Sequence, residues 1–351
     1  MNNDLVNLKE IKDLALSKER IIYSATHEEI YRGMTSDIYF IRTREILKHL
    51  NMLEKKATIE VFPTRAGVAA GLEEALNLLR YTDKGRGELK VWSVPEGETM
   101  NEKEVILRVQ GPYGWVGAYE TAILGMLASS SGWATAAREC KQVAGGKKVF
   151  CFGARHVHPA VAPVMERAAL VGGVDGCSCI LGAKLMDQHP VGTVPHAIFL
   201  LIGDTVDVAM NYHEIMDKED LRIILVDTFK DEAEEALRVA DALKENLAGV
   251  RLDTPGERGG VTPGLVKEVK ARLKQAGYPE VKIFVSGGIT AERIPLLSEA
   301  GADAFGVGSY ITSTSPIDMT MDVKEVEGEP VAKRGRIPGI TENPRLILRD
   351  L

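Results

Sequence analysis

Short apolar segments alternate with helical patterns from about residue 149 onward, and this alternation restricts the fold more than any other feature of the sequence. Strands are predicted at residues 149–153, 176–180, 192–195, 222–227, 249–253, 282–286 and 304–306. Helical patterns lie between them at residues 160–171, 232–245, 263–275 and 291–299. Such alternation produces a parallel sheet or a barrel. Seven uneven strands favour an irregular (β/α) barrel, and an open doubly wound sheet is the alternative.

The N-terminal part of the chain has a different pattern and predicts a separate α/β sandwich domain. Strands are expected at residues 57–62, 90–94 and 104–110, and helices at 5–17, 35–50, 66–79, 116–128 and 132–144. A chain of 351 residues also exceeds the usual size of one hydrophobic core. We therefore expect a sandwich domain over residues 1–130, a barrel with the active site over 131–315, and a tail, 316–351, that returns to the first domain.

The charge balance restricts the class of partner. A formal net charge of −7 disfavours non-specific binding to nucleic acid or to a membrane surface. No apolar run reaches the roughly 18 residues that span a bilayer. Residues 1–20 resemble neither a signal peptide nor a transit peptide, so a cytoplasmic location is expected. The four cysteines, of which Cys177 and Cys179 are the closest pair, lack a common zinc spacing and are expected to be buried, reduced thiols.

Two glycine-rich segments follow the last two predicted strands. Ser286-Gly287-Gly288 ends one strand and opens a helix, and Gly306-Val307-Gly308-Ser309 ends the next. Backbone N–H groups at a helix start bind anions, and glycine lets a phosphate approach closely. In parallel barrels these loops commonly form the phosphate site. The alternative is that the glycines only make tight turns.

Charged residues follow several of the other predicted strands, although barrel interiors are apolar. Asp227 and Asp253 each end an apolar strand. Fixed carboxylates can stabilise a cation-like transition state at a ribose carbon, or hold ribose hydroxyls or Mg²⁺. The alternative is that each carboxylate caps the helix that follows. Arg155 ends the first barrel strand and suits phosphate or carboxylate binding, whereas His196 taken alone is typical of a buried structural histidine.

Taken in order along the chain, nine short motifs resemble those of the nicotinate phosphoribosyltransferase family, which has nicotinamide-using and quinolinate-using relatives. The motifs are MTSDIYF, FPTRAG, FGARHVHP, VGGVDG, VGTVPH, LVDTF, RLDTPG, VSGGI and FGVGS. The resemblance runs from about Gly33 to Gly339 and is greatest to the compact archaeal and bacterial branch of the type II phosphoribosyltransferases. It implies a sandwich domain, an irregular barrel, and a homo-oligomer, dimeric or higher, with active sites at the subunit interface.

The resemblance also implies roles for individual residues in joining nicotinate to phosphoribosyl pyrophosphate. Phe152 would stack on the pyridine ring, and Tyr39 of the partner subunit would cover its other face. Arg155 and Arg251 would contact the base's substituent and the phosphates. Asp227 and Asp253 would face the ribose and Mg²⁺-pyrophosphate. The 5′-phosphate would be held by Ser286, Gly287, Gly288, Gly306 and Gly308, and Lys333 would reach a neighbouring site.

His196 matches the histidine that ATP phosphorylates in this family, so the resemblance implies ATP as a co-substrate. Asp175 could instead accept a hydrogen bond from an amide, which would favour nicotinamide, or it could be a turn residue. A quinolinate phosphoribosyltransferase is a further alternative, but such an enzyme would not need the VGTVPH histidine. An alternative from another class is a phosphate-binding barrel lyase or isomerase. A Schiff-base enzyme of that class would need a strand-end lysine, for which Lys184 and Lys282 are the nearest candidates.

Overall fold

The computed structural model describes residues 5–15 and 21–351, and the chain divides into two compact units. The first unit comprises Met1–Ala134 and Ser315–Leu351, and the second comprises Thr135–Thr314. The amphipathic pattern predicted over residues 5–17 forms a helix over Leu8–Asp13, whereas residues 16 and 17 lie outside the described part.

The strands and helices are numbered here in chain order. The strands are β1 (Lys56–Pro63), β2 (Gly67–Val68), β3 (Lys90–Ser93), β4 (Thr99–Met100), β5 (Leu107–Pro112), β6 (Lys148–Cys151), β7 (Gly176–Cys177), β8 (Ile223–Leu225), β9 (Gly249–Leu252), β10 (Lys282–Val285), β11 (Ala304–Val307), β12 (Met319–Val326), β13 (Glu329–Pro330) and β14 (Ile347–Arg349). The helices are α1 (Leu8–Asp13), α2 (His27–Tyr31), α3 (Ile38–His49), α4 (Leu72–Asp83), α5 (Tyr113–Val116), α6 (Glu120–Val143), α7 (Ala162–Gly172), α8 (Ile180–Lys184), α9 (His196–Ile202), α10 (Thr205–Ile215), α11 (Glu232–Leu243), α12 (Pro263–Gln275), α13 (Arg293–Ala300) and α14 (Ser309–Thr312).

The first unit is built on a six-stranded antiparallel sheet in the order β13-β12-β1-β5-β3-β14. Helix α4 buries Leu72, Leu76 and Leu79, which recur at helical spacing on one face, and they belong to the same core cluster as Ile59 and Val61 of β1. The result is the predicted sandwich, with one sheet face covered by helices.

The second unit is built on a parallel sheet in the order β7-β6-β11-β10-β9-β8. The last strand, β11, pairs with the first, β6, as in a barrel, and the sheet remains open between β7 and β8. This order confirms the predicted irregular barrel over the doubly wound sheet. The strand predicted at residues 192–195 is wrong, because this segment is irregular chain that precedes α9. Its absence leaves the barrel open.

Two further predictions of helices are wrong in their bounds. Residues 116–128 and 132–144 were expected to form two helices separated near Gly132, but Glu120–Val143 form one helix. Gly132 instead permits close packing, since a Cβ there would lie 2.7 Å from the Ser315 carbonyl oxygen. The helix predicted at 66–79 begins only at Leu72, because β2 occupies residues 67 and 68.

Among the described residues, no helix is both long enough and apolar enough to cross a membrane. All four cysteines are free thiols, and Cys140, Cys151 and Cys177 are buried. Burial is the main cause that raises the pKa of the Cys177 thiol to about 12, so this thiol is neutral at physiological pH.

Candidate active site

Arg251 lies at the centre of the polar side chains that follow the parallel strands. Its Nε donates a hydrogen bond to Ser286 Oγ at 2.8 Å, and its Nη1 donates to Thr193 Oγ1 at 3.1 Å. Its Nη2 lies 3.8 Å from Asp253 Oδ2. Because β9 and β10 are neighbours, their carboxyl ends bring these groups together. Thr193 joins these contacts from the segment 192–195, which was predicted as a strand and is irregular chain.

An aromatic surface lies beside this arginine. The Arg251 guanidinium carbon is 5.2 Å from the centre of the Phe152 ring, and Phe152 stacks on Phe284 with centroids 5.9 Å apart. Burial lowers the pKa of Arg251, whereas the charges of Asp253 and Asp227 act to raise it. The charge of Arg155, an exposed residue, also lowers this pKa. Two cations and a flat ring thus lie at this end of the barrel, a combination that suits a planar anion.

The loop after β10 is held in a conformation that favours glycine. Gly287 and Gly288 have φ values of +81° and +60°. Ser286 Oγ donates to Asp253 Oδ1 at 2.7 Å, and a Cβ on Gly287 would lie 3.0 Å from the same oxygen. Arg293 Nη1 donates to the carbonyl oxygens of Gly287 at 3.3 Å and Gly288 at 2.6 Å. Within the described ranges, nothing accepts a hydrogen bond from either glycine N–H.

The loop after β11 approaches Phe152 closely. A Cβ on Gly306 would lie 2.7 Å from two Phe152 ring atoms. A Cβ on Gly308 would lie 2.9 Å from the Phe152 carbonyl oxygen and 3.0 Å from His156 Nε2. Both glycines are therefore needed for the ring and the turn after it to lie where they do.

Asp227 and His196 meet where β8 ends and α9 begins. Asp227 Oδ2 lies 3.1 Å from His196 Nε2, and the aspartate side chain is 1% exposed against 41% for the histidine. Burial raises the pKa of the Asp227 carboxyl; His196 opposes this effect and the charge of Asp253 adds to it. Asp227 Oδ1 is buried and, in the part of the chain described, has no hydrogen-bond partner. The site therefore presents a buried acceptor that a polar ligand could satisfy.

Asp175 is not brought together with these residues. It precedes β7, and its carboxylate accepts hydrogen bonds from Lys141 Nζ at 2.6 Å, Lys148 Nζ at 3.0 Å and the Val149 N–H at 2.8 Å. Burial acts to raise the pKa of Asp175, but these hydrogen bonds outweigh it and the pKa is lowered. The residue lies where β6 and β7 begin, at the opposite end of the strands. Its position fits the turn role rather than contact with a base.

Tyr39 and Lys333 belong to the first unit. Tyr39 lies in the first turn of α3, half of its surface is exposed, and its hydroxyl donates to Asp37 Oδ2 at 3.2 Å. Lys333 follows β13 and is exposed. Their predicted contacts with substrate stay predictions.

Glu166 is a buried residue near the site that the sequence analysis missed. It lies on α7 at 0% exposure, and its Oε1 accepts hydrogen bonds from the N–H groups of Gly153 at 2.9 Å and Ala154 at 3.0 Å. A signal for it was present, because a carboxylate stands among Met165, Ala168 and Ala169 on the apolar face of this helix.

Comparison with known families identifies the arrangement. The model of the quinolinate phosphoribosyl transferase C-terminal domain matches residues 133–322, and that of the N-terminal domain matches residues 37–131. The chain belongs to the type II phosphoribosyltransferase family. The resemblance found in the motifs is thereby confirmed at the level of the family.

Two curated relatives are nicotinate phosphoribosyltransferases. The one from Bacillus subtilis is 28% identical over 314 residues, which cover 80% of this chain and 63% of the relative. The one from Mycobacterium tuberculosis is 28% identical over 339 residues, which cover 86% of this chain and 74% of the relative. The match thus spans less than two thirds of the Bacillus subtilis protein's length.

Two solved structures share the fold of this type II phosphoribosyltransferase. The nicotinate-nucleotide pyrophosphorylase from Pyrococcus furiosus is 44% identical with a TM-score of 0.85, over 92% of this chain and 82% of that one. The human nicotinic acid phosphoribosyltransferase is 19% identical with a TM-score of 0.68, over 87% of this chain and 77% of that one. At that identity the human protein supports the fold alone.

Proposed function

We propose that this protein is a nicotinate phosphoribosyltransferase, which forms nicotinate mononucleotide and pyrophosphate from nicotinate and phosphoribosyl pyrophosphate. The observation that carries the proposal is the Arg251 guanidinium beside the Phe152 ring, between the two glycine loops. A planar base with one carboxylate can stack on the ring while the arginine pairs with its charge. The names of the Bacillus subtilis and Mycobacterium tuberculosis relatives support the same substrate.

Positioning and charge account for the proposed transfer. The pyridine nitrogen already carries a lone pair, so no general base is required when it attacks the ribose carbon. As the bond to pyrophosphate breaks, positive charge develops on the ribose, and the carboxylates of Asp227 and Asp253 stabilise it. Stacking on Phe152 aligns the base for attack, which removes much of the entropic barrier.

The phosphate groups have separate partners. The N–H groups of Gly287 and Gly288, which have no acceptor among the described residues, suit the 5′-phosphate together with the Gly306–Gly308 loop. Asp227 Oδ1 and the Asp253 carboxylate fit a Mg²⁺ ion that keeps most of its ligands from pyrophosphate and water. The ion would neutralise the charge of the leaving group.

We assign His196 the role of accepting a phosphoryl group from ATP. Asp227 holds Nε2, while the partly exposed ring leaves Nδ1 to accept the group. Phosphorylation would couple ATP hydrolysis to a transfer that is poorly driven by itself.

Quinolinate is the second candidate substrate, because the matching family models are those of quinolinate phosphoribosyl transferases. Its two carboxylates would require both Arg155 and Arg251. Nicotinamide was considered because Asp175 could bind its amide. Asp175 lies where β6 and β7 begin, away from Arg251 and Phe152, so this reason for nicotinamide no longer applies. The lyase alternative requires a lysine at the carboxyl end of a strand. Lys282 is the first residue of β10, at the opposite end, and Lys184 is the last residue of α8, so neither lysine fits.

The test is product formation from phosphoribosyl pyrophosphate and Mg²⁺, with nicotinate, nicotinamide and quinolinate offered separately, each with and without ATP. We expect nicotinate mononucleotide, with stimulation by ATP that His196→Ala abolishes and His49→Ala, an exposed control in α3, retains. Turnover of quinolinate instead would replace the substrate assignment. No turnover of any base would reject the transferase.

A further inference from the structure

The Glu166 carboxylate joins two loops that follow neighbouring barrel strands. Besides Gly153 and Ala154 after β6, it accepts hydrogen bonds from Ser178 Oγ at 2.9 Å and from the Cys179 N–H after β7. Within the described residues it makes no ion pair, and neutral donors surround it, the Cys177 thiol among them. A fully buried carboxylate with this many donors fixes the groups that bind it.

The loop after β6 carries two residues of the proposed base site. Gly153 directly follows Phe152, whose own N–H donates to the Val307 carbonyl oxygen at 2.8 Å. The main chain at Phe152 is thus held by β11 on one side and by Glu166 on the other. Arg155 lies in the single helical turn Ala154–His156, and Glu166 binds the first amide of that turn.

The two acceptor oxygens of Glu166 matter as well as the shape of its side chain. The N–H groups of Gly153, Ala154 and Cys179 converge, as they do where proteins bind phosphate. Glu166 occupies that position with its own carboxylate. A glutamine there would place an amide N–H₂ against N–H donors that have no other acceptor in the described part of the chain, so the loops would have to move.

We propose that Glu166 is a positioning residue that fixes the loops after β6 and β7 and thereby sets the pose of Phe152 and Arg155 for the pyridine base. This inference rests on the proposed function for its kinetic consequence. The glycine loops that hold the phosphate lie on other strands, so Glu166 affects the base more than phosphoribosyl pyrophosphate.

The test compares Glu166→Gln with wild-type enzyme by steady-state kinetics and by hydrogen–deuterium exchange. We expect the KM for the base to rise about tenfold, the effect of leaving one buried hydrogen-bond donor without its acceptor. The KM for phosphoribosyl pyrophosphate should stay within about twofold. Exchange should accelerate in peptides that cover residues 152–156 and 178–180. The matched control is Glu235→Gln, since Glu235 is also at 0% exposure but pairs with Arg238 on α11.

Every other outcome contradicts either the positioning role of Glu166 or the proposed phosphoribosyltransferase function. Equal rises in both KM values, or lower thermal stability with unchanged KM values, would make Glu166 merely structural. If the variant does not fold, Ser178→Ala removes one of the hydrogen bonds, and an unchanged KM for the base would overturn the inference. Wild-type enzyme without turnover would reject the proposed function, and unchanged exchange in the variant would then separately reject the positioning role.

Discussion

Asp227 has one carboxylate oxygen within 3.1 Å of His196 Nε2, whereas its other oxygen is buried without a partner in the described part of the chain. Burial raises the pKa of this carboxyl. The unfolded chain has an ordinary aspartate pKa of about 3.9. The folded state therefore binds this proton more tightly than the unfolded state, and stability from this group is lost as the pH rises through the folded pKa. The site holds a carboxylate that opposes folding when it is ionised.

The substitution Asp227→Asn should increase the thermal stability of the protein and decrease its activity. We expect the melting temperature of the variant, relative to wild type, to increase as the pH rises from about 3.9 through the raised pKa of wild-type Asp227. Turnover should fall about a hundredfold, because a charge that stabilises the transition state is lost. Thermal unfolding across this range and steady-state turnover measure the two effects. Asp207→Asn, an exposed position on α10, is the control; a pH-independent difference for Asp227→Asn would contradict the argument.

At the scale of elements, the sequence predicted those helices whose ends depend on nearby residues, and it failed where an element depends on distant ones. The helix predicted at residues 263–275 is α12 with the same bounds, and its start is determined locally, because Thr262 caps it and Pro263 suits its first turn. The segment 192–195 is apolar and strand-like, yet a strand needs a neighbour, and whether one is available depends on the whole sheet. Glu166 was missed for the same reason, since its partners lie 12 and 13 residues away.

The candidate site was predictable to the extent that it follows strand order. Once parallel strands are inferred, Arg251, Asp253 and Ser286 must lie near one another, as the observed contacts show. Asp175 was misplaced because it precedes its strand, so its side chain belongs to the other end of the sheet. Motif order alone does not distinguish the two ends.

The loop after β10 depends on the helix that follows it. Arg293, the first residue of α13, donates to the carbonyl oxygens of Gly287, Gly288 and Val261. Arg293→Ala should therefore loosen the proposed phosphate loop and raise the KM for phosphoribosyl pyrophosphate about tenfold, with little change in the KM for the base. Initial-rate kinetics with each substrate varied in turn give both constants.

The control for this prediction is Arg272→Ala on α12, whose arginine pairs only at the surface with Glu268. We expect this variant to keep both KM values. If Arg293→Ala behaved in the same way, the helix would have no part in fixing the loop.

At the scale of the whole molecule, exposed apolar side chains are consistent with the homo-oligomer that the motif resemblance implies. Leu200, Leu201 and Ile202 end α9, and Leu201 is 85% exposed. Consecutive exposed apolar residues of this size commonly mark a contact surface. Leu201→Glu should shift the protein to a smaller species in sedimentation experiments, whereas Lys230→Glu at an already polar position should not. An unchanged sedimentation coefficient for Leu201→Glu would exclude this surface from the assembly.

The first sheet pairs β1 with β12, so that Ala57 lies opposite Val326. During translation, all of Thr135–Thr314 is therefore synthesised before β12, the partner strand of β1. The barrel unit can fold while synthesis continues, whereas one edge of β1 stays bare for a time on the order of tens of seconds. The unpaired backbone N–H and C=O groups of such an edge can pair with a strand of another chain, which leads to aggregation. The nascent protein thus has a period of exposure set by the order of its segments, during which chaperones, translation speed and crowding by neighbouring ribosomes influence the yield.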